Sequence, residues 1–125
     1  MTGTSVDGLD LALIEVSQPK NADLAREAIS ILNAQTVPLP EKLRDALLAC
    51  GQPDQSSVDL LGECDVQLGD FIGASIIDWL RSLDISLASI RAIGSHGQTV
   101  RHRPPGTRDS AFTLQIGDPN QIAEI

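Results

Sequence analysis

Two short stretches hold the residues whose types and spacing could do chemistry. The first is Gly3-Thr4-Ser5-Val6-Asp7-Gly8-Leu9-Asp10, at the start of the chain. Its two glycines admit positive φ and close backbone approach. Thr4 and Ser5 offer hydroxyl donors, and consecutive backbone N–H groups can form a concavity that holds an anion. The Asp7 carboxylate would repel a bare phosphate, but it suits a Mg²⁺ ion that bridges the two. No Gly-Lys-Thr/Ser follows, so this is not a Walker loop. The same composition also suits a plain hairpin turn with an Asp-Gly corner.

The second stretch is Gly94-Ser95-His96-Gly97-Gln98-Thr99. It follows an apolar run that reads as a strand, and ligands commonly bind at the carboxyl ends of strands in α/β sheets. Small residues leave room, while Ser95, His96, Gln98 and Thr99 supply the hydrogen-bonding groups that polyhydroxylated ligands require. Ser95 beside His96 raises a hydrolase reading. Neighbours at a strand end point apart, however, and a nucleophile elbow needs Gly-x-Ser-x-Gly. The spacing of His96 and His102 fixes no metal geometry. A histidine that simply ties down a loop satisfies the pattern as well.

These stretches need elements to position them. Leu9 to Val16 is nearly all apolar and reads as a strand covered on both faces. After a turn at QPKNAD, Ala28 to Val37 reads as its antiparallel partner, closed by Pro38 and Pro40. Leu43, Ala46, Leu47 and Cys50 repeat at helical spacing, with Gly51 and Pro53 as stops. A longer helix begins near Ser56 and Asp59, which resemble a capping box. Along it Val58, Leu61, Cys64, Leu68, Ile72, Ile76, Trp79 and Leu83 fall on one face. Gly62, Gly69 and Gly73 each lower its intrinsic propensity by about 1 kcal/mol against Ala, yet allow close packing. Ile90 to Gly94 reads as a short strand, RHRPPGTRDS as a polar connection and Phe112 to Ile116 as a further strand. Asp118-Pro119 is a helix start. The fold class is α/β: a mixed sheet with flanking helices, incomplete at both ends. It starts in a turn and finishes in a barely begun helix, as expected of part of a larger protein.

Composition narrows the partners. The 125 residues carry a formal net charge of −8, which disfavours general binding to nucleic acid or to an anionic membrane. Aromatic residues make up only 2%, too few to build a base-stacking surface. Four of the basic residues, Arg91, Arg101, Arg103 and Arg108, lie in one stretch with both histidines, where a small anion could still bind. Cys50 and Cys64 show no metal spacing and read as buried thiols of a reducing compartment. No apolar run approaches the roughly 20 residues needed to span a bilayer, and no signal peptide precedes the first motif. The expected location is cytoplasmic, with neither nucleic acid nor membrane as partner.

Three blocks in order, GTSVDGLD, IGSHGQTVRHRP and FTLQIGDPNQIAE, resemble the bacterial anhydro-N-acetylmuramic acid kinases. The resemblance covers essentially the whole chain. It implies a ribonuclease H-like lobe of the actin/Hsp70/sugar-kinase superfamily, with residues 1–125 as the N-terminal part of the first of two lobes. It implies ATP and Mg²⁺ as cofactors and a small-molecule sugar substrate, with a homodimer as an assembly open to the intact protein. The implied reaction phosphorylates O6 of 1,6-anhydro-N-acetylmuramic acid while water opens the anhydro bridge, a step of peptidoglycan recycling. Carried over by position, Gly3, Thr4, Ser5, Val6, Asp7, Gly8, Leu9 and Asp10 form the phosphate loop, with Asp7 near the metal. Ser95, His96, Gly97, Gln98 and Thr99 form part of the sugar-side wall. The family's general base, second phosphate loop and adenosine pocket correspond to nothing before Ile125. The 125-residue chain alone is therefore expected to be inactive and prone to self-association through strand edges. The rival expectation is a non-catalytic small-molecule or protein-binding module of the same half-lobe.

Overall fold

The computed structural model describes residues 6–17, 29–106 and 110–124. Expectations for Gly3, Thr4, Ser5, the turn at 18–23, Ala28 and Arg108 lie outside these. The elements run β1 (Gly8–Val16), β2 (Ile29–Pro38), α1 (Glu41–Gly51), α2 (Val58–Ser82), β3 (Gln98–Arg103), β4 (Phe112–Ile116) and α3 (Pro119–Ala123). A single 3₁₀ turn, Leu87–Ser89, separates α2 from the loop that leads to β3.

Pairing is local and antiparallel throughout the described residues: β1 with β2, and β3 with β4, as two separate ribbons. One mixed sheet was the expectation, and the correction lies at Ile90–Gly94. That segment has the apolar content of a strand, yet it joins none of the described strands in a hydrogen-bonded ladder. Propensity sets up a strand, but only a hydrogen-bonded neighbour makes one. A second correction concerns the polar connection, since Arg101, His102 and Arg103 belong to β3. A bulge at Val100 breaks the register between Thr99↔Gln115 and Arg101↔Leu114.

β1 is not covered on both faces. Leu9 and Leu11 are buried, whereas Ile14 and Val16 toward the hairpin tip are exposed. They sit opposite Ile31 and Ile29, also exposed, so the outer face of the ribbon ends in a small apolar patch. Nearer the start of β1 the same face is polar, where Thr36 donates a 2.6 Å hydrogen bond to Asp10 Oδ1.

The core is built on α2. Cys64, Leu68, Ile72, Ile76, Trp79 and Leu80 are buried along one stripe, and Leu43, Leu47 and Cys50 of α1 pack into the same cluster. Full burial of such a side chain contributes about 1.5–3 kcal/mol, so this stripe is the main source of stability. The expected stripe fails at Val58, the first helical residue, which is 84% exposed. The N-cap is Ser57, one residue later than expected, and its hydroxyl accepts from Leu60 N at 3.0 Å. The α3 start is as expected: Asp118 caps it by accepting from Asn120 N, and Pro119 follows.

Gly69 permits α3 to lie directly on α2. A Cβ there would stand 2.7 Å from the Asp118 carbonyl oxygen and 2.8 Å from Gln121 Cβ. Gly69→Ala should therefore destabilise the protein by about 1–3 kcal/mol, despite the better helix propensity of Ala. Urea denaturation of the intact protein measures this, and an unchanged or raised midpoint would contradict the packing.

Cys50 and Cys64 are both free and buried, as expected of their place on the apolar faces of α1 and α2. The Cys50 thiol donates weakly to the Leu60 carbonyl at 3.8 Å. Burial, followed by the hydrogen bond to Cys50 and the charges of Cys50 and Glu63, pushes the Cys64 thiol from 9.0 up to about 12. The folded state thus holds this proton more tightly than the unfolded chain does. The stability it contributes is complete below pH 9 and is lost as pH rises from there toward 12. Denaturation midpoints should fall above pH 9 in wild type and fall less steeply in Cys64→Val. Parallel curves for the two proteins would refute the assignment.

Candidate functional site

The first described residues are already unusual. Val6 has φ 52 and is only 4% exposed. Positive φ is strained for a β-branched residue, at a cost of order 1–3 kcal/mol, and persists only where the surroundings over-determine it. Burial of its side chain fixes the direction in which the chain enters β1. Asp7 is then left exposed, while Gly8 and Leu9 are buried and Asp10 returns to the surface. Gly8 opens the ladder opposite Pro38.

The Ser95–Gly97 loop is held by backbone proximity. Gly97 has φ +64, and a Cβ on it would come within 2.0 Å of the Ile116 carbonyl oxygen. On the other side stands Gly117, φ +122, where an added Cβ would lie 3.3 Å from Gly97 Cα. Main chain therefore touches main chain, and both positions need a residue that tolerates positive φ and occupies no side-chain volume. Within the loop, Gly97 N donates to Ser95 Oγ at 3.2 Å. The serine hydroxyl is thus engaged as a turn acceptor, and no hydrogen bond joins it to His96 among the described residues. That arrangement gives no support to a Ser-His nucleophile.

The start of β1 and the Ser95–Gly97 loop border one cavity of about 240 Å³. β1 supplies Leu9, Asp10, Leu11 and Ala12 to one wall, and Ile93 to Gly97 form the other. Leu68, Ile72 and Ile76 of α2 are its floor. Asp10 and, more than eighty residues later, the adjacent Ser95 and His96 thus border the same space. Val6, Asp7 and Gly8 of the first motif and Gln98 and Thr99 of the second lie outside this lining. Gln98 is buried, with Nε2 donating to the Thr99 carbonyl and Oε1 unpartnered, and Thr99 Oγ1 accepts from Gln115 Nε2 at 3.4 Å. Of the basic stretch, Arg101, His102 and Arg103 lie on β3, away from the cavity lining. Arg101 reaches back to the Cys50 carbonyl and His102 Nδ1 meets Thr113 Oγ1 at 2.9 Å.

A family profile described as Anhydro-N-acetylmuramic acid kinase matches residues 1–125. The chain belongs to the anhydro-N-acetylmuramic acid kinase family. Kinases of that name from Saccharophagus degradans and Coxiella burnetii are each 39% identical to it over its whole length. One from Xanthomonas oryzae pv. oryzae is 42% identical over 99% of the chain. The alignments take in 32%, 30% and 31% of those relatives, so the chain spans about a third of the length of the kinases it matches. The family resemblance read from the three sequence blocks is thereby established. Among the described residues, no helix is long and apolar enough to cross a membrane, and no group of three or more His, Cys, Asp or Glu residues could hold a metal.

Sequence reasoning missed Asp65, which lies on α2 and accepts a 2.6 Å hydrogen bond from Gly117 N. Its one signal was position: a carboxylate on the half-buried flank of an otherwise apolar stripe. Replacing Gly97 with Ala should disrupt the loop, because the Cβ meets backbone that no rotamer change can move. We expect a loss of at least about 1–3 kcal/mol, the usual scale of overpacking and of side chains forced to positive φ. Thermal denaturation of the variant measures it, and an unchanged melting point would show that the loop adapts freely.

Proposed function

We propose that the intact protein is an ATP-dependent kinase acting on 1,6-anhydro-N-acetylmuramic acid. Residues 1–125 would form the N-terminal part of its first lobe. The reaction consumes ATP, water and the anhydro sugar. Its products are N-acetylmuramic acid 6-phosphate and ADP, which suits a cytoplasmic step of peptidoglycan recycling. The observation that carries this reading is that the strand leaving the first family motif, at Leu9 and Asp10, and the Ser95–Gly97 loop of the second border one cavity.

The residues present fit a polyphosphate and its metal. Asp7 is exposed at the head of β1, next to a backbone bent by positive φ at Val6. Mg²⁺ is commonly held by one or two carboxylates together with phosphate and water oxygens, so a built cluster of ligands is not required. Asp7 would hold the ion, and Gly3, Thr4, Ser5, Val6 and Gly8 would present amides and hydroxyls to the phosphates, with Leu9 and Asp10 as the strand behind them. When bound, Mg²⁺ would supply neutralisation of the charge on the transferring group. Phosphoryl transfer depends mainly on positioning and charge neutralisation, which a turn of amides and hydroxyls with an adjacent carboxylate can provide. On the other wall, Ser95 and His96 can hydrogen-bond sugar hydroxyls, while Gln98 and Thr99 brace that wall from within β3.

The finer fold we propose is a ribonuclease H-like lobe, with Ile90–Gly94 as an interior strand. Support comes from the space on its two sides. The cavity against β1 flanks one side, and a second cleft of about 520 Å³, lined by Ile90, Ala92, Ile93, Pro119 and Ile122 among others, flanks the other. An interior strand, paired along both edges and covered on both faces, has the apolar composition seen here.

Intact protein supplied with ATP, Mg²⁺ and 1,6-anhydro-N-acetylmuramic acid should release one ADP per sugar phosphorylated. Asp7→Asn should lower kcat/KM by about 100-fold, the scale expected when a charge-neutralising group is lost. Coupled ADP detection and mass spectrometry of the sugar read both. ADP release that is indifferent to the sugar would overturn the proposal.

A further inference from the structure

The geometry points to Asp65 as a positioning residue that sets the sugar-side wall through Gly117; this rests on the kinase reading above. Two consecutive main-chain N–H groups, of Gly117 and Asp118, donate to this one residue. Gly117 N meets Asp65 Oδ1 at 2.6 Å, and Asp118 N meets the Asp65 carbonyl oxygen at 3.0 Å. A carboxylate acceptor makes the first a short, charge-assisted bond. A carbonyl has two lone pairs, so the second can coexist with the helical bond that the same oxygen accepts.

Gly69 lies one helical turn further along the same face, and its missing side chain leaves the space that the Asp118 backbone enters. Asp65 and Gly69 thus form a clasp on α2 that receives the Ile116–Asp118 turn. Gly117 in turn stands against Gly97, whose φ of +64 brings its Cα side close to the Ile116 carbonyl. Because Gly97 directly follows Ser95 and His96, the height of the turn on α2 decides where those two side chains stand in the cavity. Asp65 itself does not line the cavity. Its effect is transmitted through backbone contact rather than through the ligand.

The test uses the intact kinase with three variants. Asp65→Asn keeps an acceptor oxygen of the same reach and should stay within about 3-fold of wild type in every constant. Asp65→Ala removes the acceptor, and Asp65→Glu pushes it outward by one methylene. Both should raise the KM for the anhydro sugar about 10-fold or more, with the KM for ATP changed less than about 2-fold, since small misplacements of positioning groups are costly. If Asp65→Ala fails to fold, Asp65→Glu against Asp65→Asn carries the comparison. Amide hydrogen exchange supplies a readout independent of activity: Gly117 and Gly97 N–H should lose protection in Asp65→Ala or Asp65→Glu and keep it in Asp65→Asn. Equal shifts in both KM values, or Asp65→Asn as impaired as Asp65→Glu, would overturn the assignment. So would unchanged protection of Gly117. A wild-type protein that phosphorylates no anhydro sugar would instead defeat the kinase reading, while the exchange data still judged the clasp.

Discussion

Contact between two glycine backbones is the constraint on which the rest of the architecture depends. Gly97 cannot carry a side chain without displacing the Ile116 carbonyl, and a Cβ on Gly117, itself at positive φ, would press on Gly97 Cα at 3.3 Å. That contact joins the loop bearing Ser95 and His96 to the turn that starts α3. It also locks the β3–β4 ribbon onto α2, because Gly117 rests on Leu68 and Ile72 as well. An apolar helix thus serves as a common base for elements that are far apart in sequence. Rigid support of this kind is what a binding wall requires if its polar groups are to be held in place before a ligand arrives.

The two sides of the cavity are fixed by different means. On the β1 side, a buried valine in a strained conformation turns the chain, and hairpin pairing with β2 keeps it extended. On the loop side, almost no side-chain packing is involved, and the hydrogen bonds are main chain to carboxylate or main chain to hydroxyl. Strain on one wall and close backbone contact on the other both occur where a fold gives up local comfort for a defined site.

Much of this was legible in the sequence because the signals were local. Helical spacing located α1 and α2, Asp118-Pro119 marked the start of α3, and apolar runs marked β1, β2 and β4. The misses share a physical cause. β3 has a polar sequence, and its strand character comes from pairing with β4 and from Gln98 and Val100 facing inward. Ile90–Gly94 is the reverse case, a strand-like sequence without a described ladder partner. Which pieces lie together is a non-local fact, and neither propensity nor periodicity contains it. The motifs themselves were visible as unusual composition, but only folding shows that Ser95 and His96 face the cavity while Gln98 turns inward. Asp65 was silent because a carboxylate on a helix flank ordinarily means solvent.

One feature of α2 has a practical side. Trp79 is the only tryptophan of the sequence, no tyrosine accompanies it, and its indole is buried within the α2 stripe at the centre of the core. Intrinsic fluorescence from this segment therefore originates at a single point, on the helix whose detachment would dismantle the whole. A red shift in emission would register the solvation of that one indole, giving an optical gauge of core integrity that needs no added dye.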